Sequence, residues 1–147
     1  MIFVPRDADE HQVLDIVHEW IDVLAAENYE TVFAELGYSL AFGRPGGECV
    51  REAIKSYRSP QYYPGVEEFV VTDWRKAQGG NRAPAKIVTW YKPNSTGLSG
   101  AVAFDLPING KWSDLTANFV FFENENMAEG YVLSLEDVQS NGQWQQV

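Results

Sequence analysis

The residues best suited to chemistry in this chain are two histidines, scattered carboxylates and a set of tryptophans and tyrosines. His11 and His18 stand seven residues apart in an amphipathic stretch. On a helix referenced to Val13 they project at about 160° and 140°, whereas the apolar stripe spans about −80° to +100°. Both are therefore expected to face away from the core, with no His-based pocket mechanism. A two-histidine metal site needs further ligands, and the neighbouring Asp15 and Asp22 are common surface residues, so no metal is expected. Asp105 and Asp114 fall on adjacent predicted strands, where paired carboxylates could do general acid–base work. Val102, Phe104 and Leu106 define an inward face, however, which turns Asp105 outward; Leu115 and Phe119 do the same for Asp114. Both are expected to be solvated. Asp73 stands in a stretch of ambiguous alternation and is the best single candidate for a pocket acid.

Aromatic residues give a second pattern. Trp74, Trp90, Tyr91 and Tyr57, with Tyr62 and Tyr63, could line the open end of an apolar, polar-tipped cavity of the kind that holds small ligands. The same residue types are routine in sheet cores. The single cysteine, Cys49, excludes an internal disulfide and a multi-thiolate metal site. No serine or cysteine has an identifiable base and orienter, Gly43–Gly47 lacks the ending of a phosphate-binding loop, and Asn94-Ser95-Thr96 reads as a turn. No catalytic residue is assigned and no cofactor is expected.

The elements that must position these residues are legible from periodicity. Asp7 and Glu10 stand in the relation of a capping box before Val13, Ile16, Val17, Trp20, Ile21 and Leu24, which follow helical spacing. Tyr29, Val32, Phe33 and Leu36 suggest a short second helix closed by Gly37, and Tyr38–Phe42 a short strand. Glu48–Tyr57 reads as a third helix with Val50, Ala53, Ile54 and Tyr57 on its buried side. From Val66 onward the pattern is antiparallel sheet: 66–77, 85–92, 98–106, 111–123 and 130–139, separated by turn-forming residues. The strongest of these signals is the hairpin from Trp112 to Val138, with Leu115, Ala117, Phe119 and Phe121 on one face and an Asn124-Glu125-Asn126 reversal. The predicted fold class is α+β, with three N-terminal helices packed on a curved antiparallel sheet.

Length and charge narrow the function. A chain of 147 residues, 45% hydrophobic, is the size of one domain, 1–147, with a core over about 9–139 and a polar tail from 140 to 147. Neither a signal peptide nor a membrane span is visible, which predicts a cytoplasmic protein without membrane attachment. The net charge of −10 argues against nucleic-acid binding and is compatible with a basic protein partner. Residues 1–43 hold nine acids and one base, residues 44–92 five acids and nine bases, and residues 93–147 seven acids and one base.

The order of helix, short helix, short strand, helix and long strands resembles the nuclear-transport-factor-2-like (NTF2-like) superfamily of cone-shaped domains. The ending Gly130-Tyr131-Val132-Leu133-Ser134-Leu135-Glu136-Asp137-Val138 is similar to an uncharacterised bacterial branch of that group. The superfamily includes enzymes, pocket binders, dimerisation modules and bacterial immunity proteins. With no nucleophile and no pocket histidine, the expected function is a non-catalytic protein-binding domain, such as an immunity protein neutralising a basic toxin. Its expected contact acids are Asp15, Glu19 and Asp22 on the first helix and Glu123, Glu125 and Glu129 at the hairpin turn. The alternative is a small-molecule or lyase/isomerase-like pocket protein built on Asp73, Tyr91 and the tryptophans. A structural dimer module is the third reading. Ala101, Ala103, Thr116, Asn118, Val132 and Ser134 form a flat outer sheet face, and related folds dimerise through such faces, so a homodimer is expected.

Overall fold

A computed structural model of the chain describes residues 2–28, 31, 46–80, 83–123 and 130–140. Apart from Thr31, the expected second helix lies outside the described residues, as do the strand over 38–42, the reversal at 124–126 and the tail beyond 140. Within them the architecture is α+β: two helices and a curled antiparallel sheet of five strands.

Helix α1 spans Glu10–Ala25 and buries Val13, Val17, Trp20, Ile21 and Leu24, which is the stripe that its spacing predicts. Its cap differs from the expected Asp7 and Glu10. Asp9 is the N-cap: its Oδ1 accepts from the Gln12 N–H at 2.8 Å, and Gln12 Oε1 accepts from the Asp9 N–H at 2.9 Å. Asp7 is still in the turn leaving the first strand, closed by the Ala8 N–H donating to the Pro5 carbonyl, and glutamine serves at N3 as well as glutamate. Helix α2 spans Gly46–Lys55, beginning two residues before the expected Glu48 and ending before Tyr57. Val50 and Ile54 point into the core, and Tyr57 follows them from just beyond the helix end.

The strands are β1 (Ile2–Pro5), β2 (Lys86–Trp90), β3 (Leu98–Ile108), β4 (Lys111–Glu123) and β5 (Gly130–Ser140), arranged β1-β5-β4-β3-β2. The long hairpin strand β4 is the middle of the sheet. Its inward residues Leu115, Ala117, Phe119 and Phe121 are all buried, and they meet α1 through the edge of Trp20 on Phe119, ring centroids 5.1 Å apart. Gly100 lets Phe121 lie across β3, since a Cβ there would stand 2.1 Å from the ring's Cζ. A bulge opposite Asn118 puts Glu136 and Asp137 against one residue of β4. The inward face of β5 thereby passes from Leu133 and Leu135 to Val138 rather than alternating throughout.

Residues 66–77 do not form the expected strand. They make one isolated bridge, Val71 to Ile108, and otherwise fasten to the β3–β4 turn. That turn is the two-residue pair Asn109-Gly110, both with positive φ (51° and 80°), as a tight hairpin requires. The Asn109 side chain accepts from the Val70 N–H at 3.0 Å and donates to the Glu68 carbonyl at 2.9 Å. The Gly110 N–H donates to Thr72 Oγ1, and the Tyr63 hydroxyl to the Ile108 carbonyl. Backbone groups of Glu68, Val70 and Thr72 thus find partners at or beside the turn rather than in a ladder. The fifth strand is instead β1, paired with β5.

Candidate functional site

Helix α1 carries the densest acidic surface described. Asp15, on its outer side, sits between His11 Nε2 at 3.4 Å and His18 Nδ1 at 3.7 Å. About two turns further on, Asp22 is held bidentate by Arg75, with Nη1–Oδ1 at 2.9 Å and Nη2–Oδ2 at 3.0 Å. Arg75 Nη1 also donates to Asp73 Oδ1, and so does the Arg75 backbone N–H. Those bonds hold the Asp73 carboxyl below the usual carboxylate range, the backbone N–H being the larger cause. Asp73 is therefore an ionised member of an ion-pair cluster at a broad open groove with Asp22 and Arg75, and lacks the raised pKa of a general acid. Glu19 is exposed and has no ion pair among the described residues. Glu123, at the far end of β4, accepts from Arg6 Nη1 at 3.0 Å. Glu125 and Glu129 lie outside the described residues.

His18 departs from expectation. Its side chain is only 16% exposed, because Trp74 lies flat on the imidazole at 3.7 Å between centroids and 8° between planes. Phe104 meets the same ring edge-on. The helical wheel sets His18 off the apolar stripe and so outward, but Phe104 of the sheet and Trp74 of the segment before β2 close over that flank of α1 and bury it. Both ring nitrogens and the Trp74 indole N–H are buried without a hydrogen-bond partner among the described residues. Burial, aided by the nearby Lys86 ammonium, pushes the imidazole pKa down against the pull of Asp15 and Asp22. Lys86 itself lies over the Trp112 ring at 4.1 Å, and burial lowers its pKa too.

The aromatic residues expected to share a pocket are divided among separate places. Trp90 and Tyr91 line a groove of about 200 Å³ with Asn94, Glu123 and Tyr131 at one end of the sheet. Tyr57 borders a different groove, with Ala53, Leu115 and Val138, and packs edge-on against Tyr63 and Phe69. Trp74 is the cover of His18. The structure does not bring these four residues and Asp73 into one cavity.

The two strand carboxylates are also less solvated than their alternation implied. Asp105 does face the outer side, yet it is 2% exposed: Oδ1 accepts from Thr116 Oγ1 at 2.6 Å and Oδ2 from the Ala85 N–H at 2.7 Å. It fastens the start of β2 to β3 and β4. Asp114 is half-buried and accepts a hydrogen bond from the Tyr57 hydroxyl. Burial first, and this bond second, raise the phenol pKa of Tyr57 well above its ordinary value. Neither contact had a signal in the sequence, because each joins segments that periodicity treats separately. Of the flat outer face, Ala101, Ala103, Asn118 and Ser134 are half-buried, whereas Thr116 and Val132 are buried. Among the described residues no three His, Cys, Asp or Glu side chains stand close enough to hold a metal ion, and no helix is long and apolar enough to cross a membrane.

The chain matches no protein-family model, no curated protein and no solved structure.

Proposed function

We infer that this is a non-catalytic protein-binding domain of the NTF2-like type, using the acidic face of α1 and the Glu123 end of the sheet against a basic partner. A bacterial immunity protein that covers the basic active cleft of a toxin is the form of this function that the resemblance favours. The observation that carries the reading is how the charges pair. Arg6 and Arg75, the bases beside these surfaces, are already bound to Glu123 and to Asp22 and Asp73. Exposed Glu10 and Glu19 are left unpaired on α1 among the described residues. Their field reaches about 8–10 Å at physiological salt and would steer a cationic surface toward the helix.

The test is affinity capture from native lysate with the wild-type chain and a Glu10→Lys/Glu19→Lys variant, washed at low and high salt. A stoichiometric basic protein that leaves at high salt and is not retained by the variant supports the reading. A partner bound equally by both baits and insensitive to salt would overturn it.

A second reading, a small-ligand protein, is favoured by the groove between Trp90, Tyr91 and Tyr131, where both Trp90 and Tyr91 are 43% exposed. Exposed aromatics beside Asn94 and Glu123 suit a ligand with a flat apolar face and a polar rim. Quenching of tryptophan fluorescence by a bound ligand, abolished by Trp90→Ala, would move the assignment to this groove.

A further inference from the structure

Strand β2 is one edge of the sheet, and its hydrogen bonding can be worked out residue by residue. The Asp105 N–H donates to the Ala85 carbonyl at 2.8 Å and the Tyr91 N–H donates to the Ser99 carbonyl at 3.0 Å. In the antiparallel register Lys86–Phe104 to Trp90–Gly100, bonding alternates, so Ile87 and Thr89 also turn their backbone groups toward β3. Lys86, Val88 and Trp90 therefore aim their N–H and C=O groups off the edge, and among the described residues none of these groups has a partner. Natural edges are usually blunted by bulges, inward charges or covering loops. On this edge Lys86 is the one inward charge, lying over Trp112, while large apolar side chains are exposed along the rest: Ile87 is 56% exposed, and Trp90 and Tyr91 are each 43%.

We propose that the β2 edge pairs with the β2 edge of a second copy, antiparallel about Val88, joining two five-stranded sheets into one. The strand is self-complementary in that arrangement. A two-fold axis at Val88 sets Val88 against Val88, and Lys86 against Trp90 of the partner copy at both ends, an ammonium beside an indole. The three outward residues of each copy exchange up to about six N–H···O bonds, and exposed Ile87 meets Thr89 across the seam. β2 holds no acid, so the seam sets no carboxylate of this acidic chain against another. This pairing goes beyond the acidic binding face and uses a different surface from the flat outer face of the sheet.

The test is sedimentation equilibrium of the full chain over a concentration series, with Val88→Pro and Ile87→Lys. Proline removes only an outward N–H and is tolerated on an edge for that reason. Ile87→Lys, at an exposed site, keeps the test valid should the proline disturb the strand. Wild type is expected to dimerise more tightly as salt rises, since copies carrying −10 repel one another, the opposite sign to capture of a basic partner. Each variant is expected to weaken the dimer by about tenfold or more. Hydrogen exchange at the Lys86, Val88 and Trp90 amides is expected to slow with concentration, while Ile87 and Thr89 stay protected throughout. A wild type that remains monomeric, a dimer unaffected by both variants, or a dimer lost only on Ala101→Asp in the outer face would each overturn the proposal.

Discussion

The imidazole of His18 and the indole of Trp74 lie stacked face to face, 3.7 Å between centroids, with the Arg75 guanidinium 4.5 Å from the indole centroid. The stack joins α1 to the irregular segment before β2, and its histidine is held neutral by burial. The imidazole pKa is below 6.5 in the folded chain. As pH falls through 6.5 the unfolded chain takes up this proton first, so stability is complete above that value. It is lost progressively down through the lowered folded value. Thermal melts at about pH 7.5 and about pH 5 should show a larger loss in wild type than in His18→Phe, which keeps the stack without the titration. Parallel pH dependences in the two proteins would show that His18 does not titrate in this way.

The Tyr57 hydroxyl is the donor that satisfies half-buried Asp114. Tyr57→Phe retains the ring contacts with Tyr63 and Phe69 but leaves the carboxylate without that donor. Chemical denaturation should report a loss of about 1–3 kcal/mol, with an unchanged m-value. An effect within error would mean that water replaces the phenol at no cost.

Gly100 should resist even the smallest side chain. Its Cβ would meet both the Phe121 ring and the Thr89 carbonyl oxygen, the latter at 2.5 Å. Gly100→Ala must displace a fully buried phenylalanine or open the β2–β3 ladder, and is expected to cost about 2–3 kcal/mol. Pairing it with Phe121→Leu should recover part of that loss if the ring is the obstacle, and none if the carbonyl is.

Asn109 does two jobs that can be separated. Asn109→Gly keeps the positive φ of the turn but deletes the side-chain bonds to Val70 and Glu68. Hydrogen exchange at Val70 should quicken while the β3–β4 ladder stays protected. Asn109→Val adds a φ that a β-branched residue avoids, so global stability should fall further, by about 1–2 kcal/mol.

Local signals carried most of the fold. The spacing of Val13, Val17, Trp20 and Leu24 located α1, and alternation around Asn109-Gly110 located β3 and β4, because those elements make their own bonds or pair across a two-residue turn. The stretch 66–77 misled because its apolar residues do bury, at Phe69 and Val71, without a neighbouring strand to form a ladder. Strand β1 is too short for its periodicity to be read. Among the candidate site residues, the placing of Asp15, Glu19 and Asp22 off the apolar stripe of α1 was legible but their pairing was not: Asp22 and Arg75 are 53 residues apart in the chain. The cover over His18 was hidden for the same reason, since Trp74 reaches it from a segment with no regular element of its own.

The fastening of residues 68–72 to Asn109 also sets a direction in time. Asn109 follows Val70 by 39 residues and Glu68 by 41. During synthesis Phe69 and Val71 leave the ribosome well before the turn that will hold them exists. At the usual 5–20 residues per second, that interval is about 2–8 s. Until then Phe69 has the earlier-made Tyr57 and Tyr63 to pack against, but the hydrogen bonds that fix residues 68–72 in place wait for the β3–β4 turn.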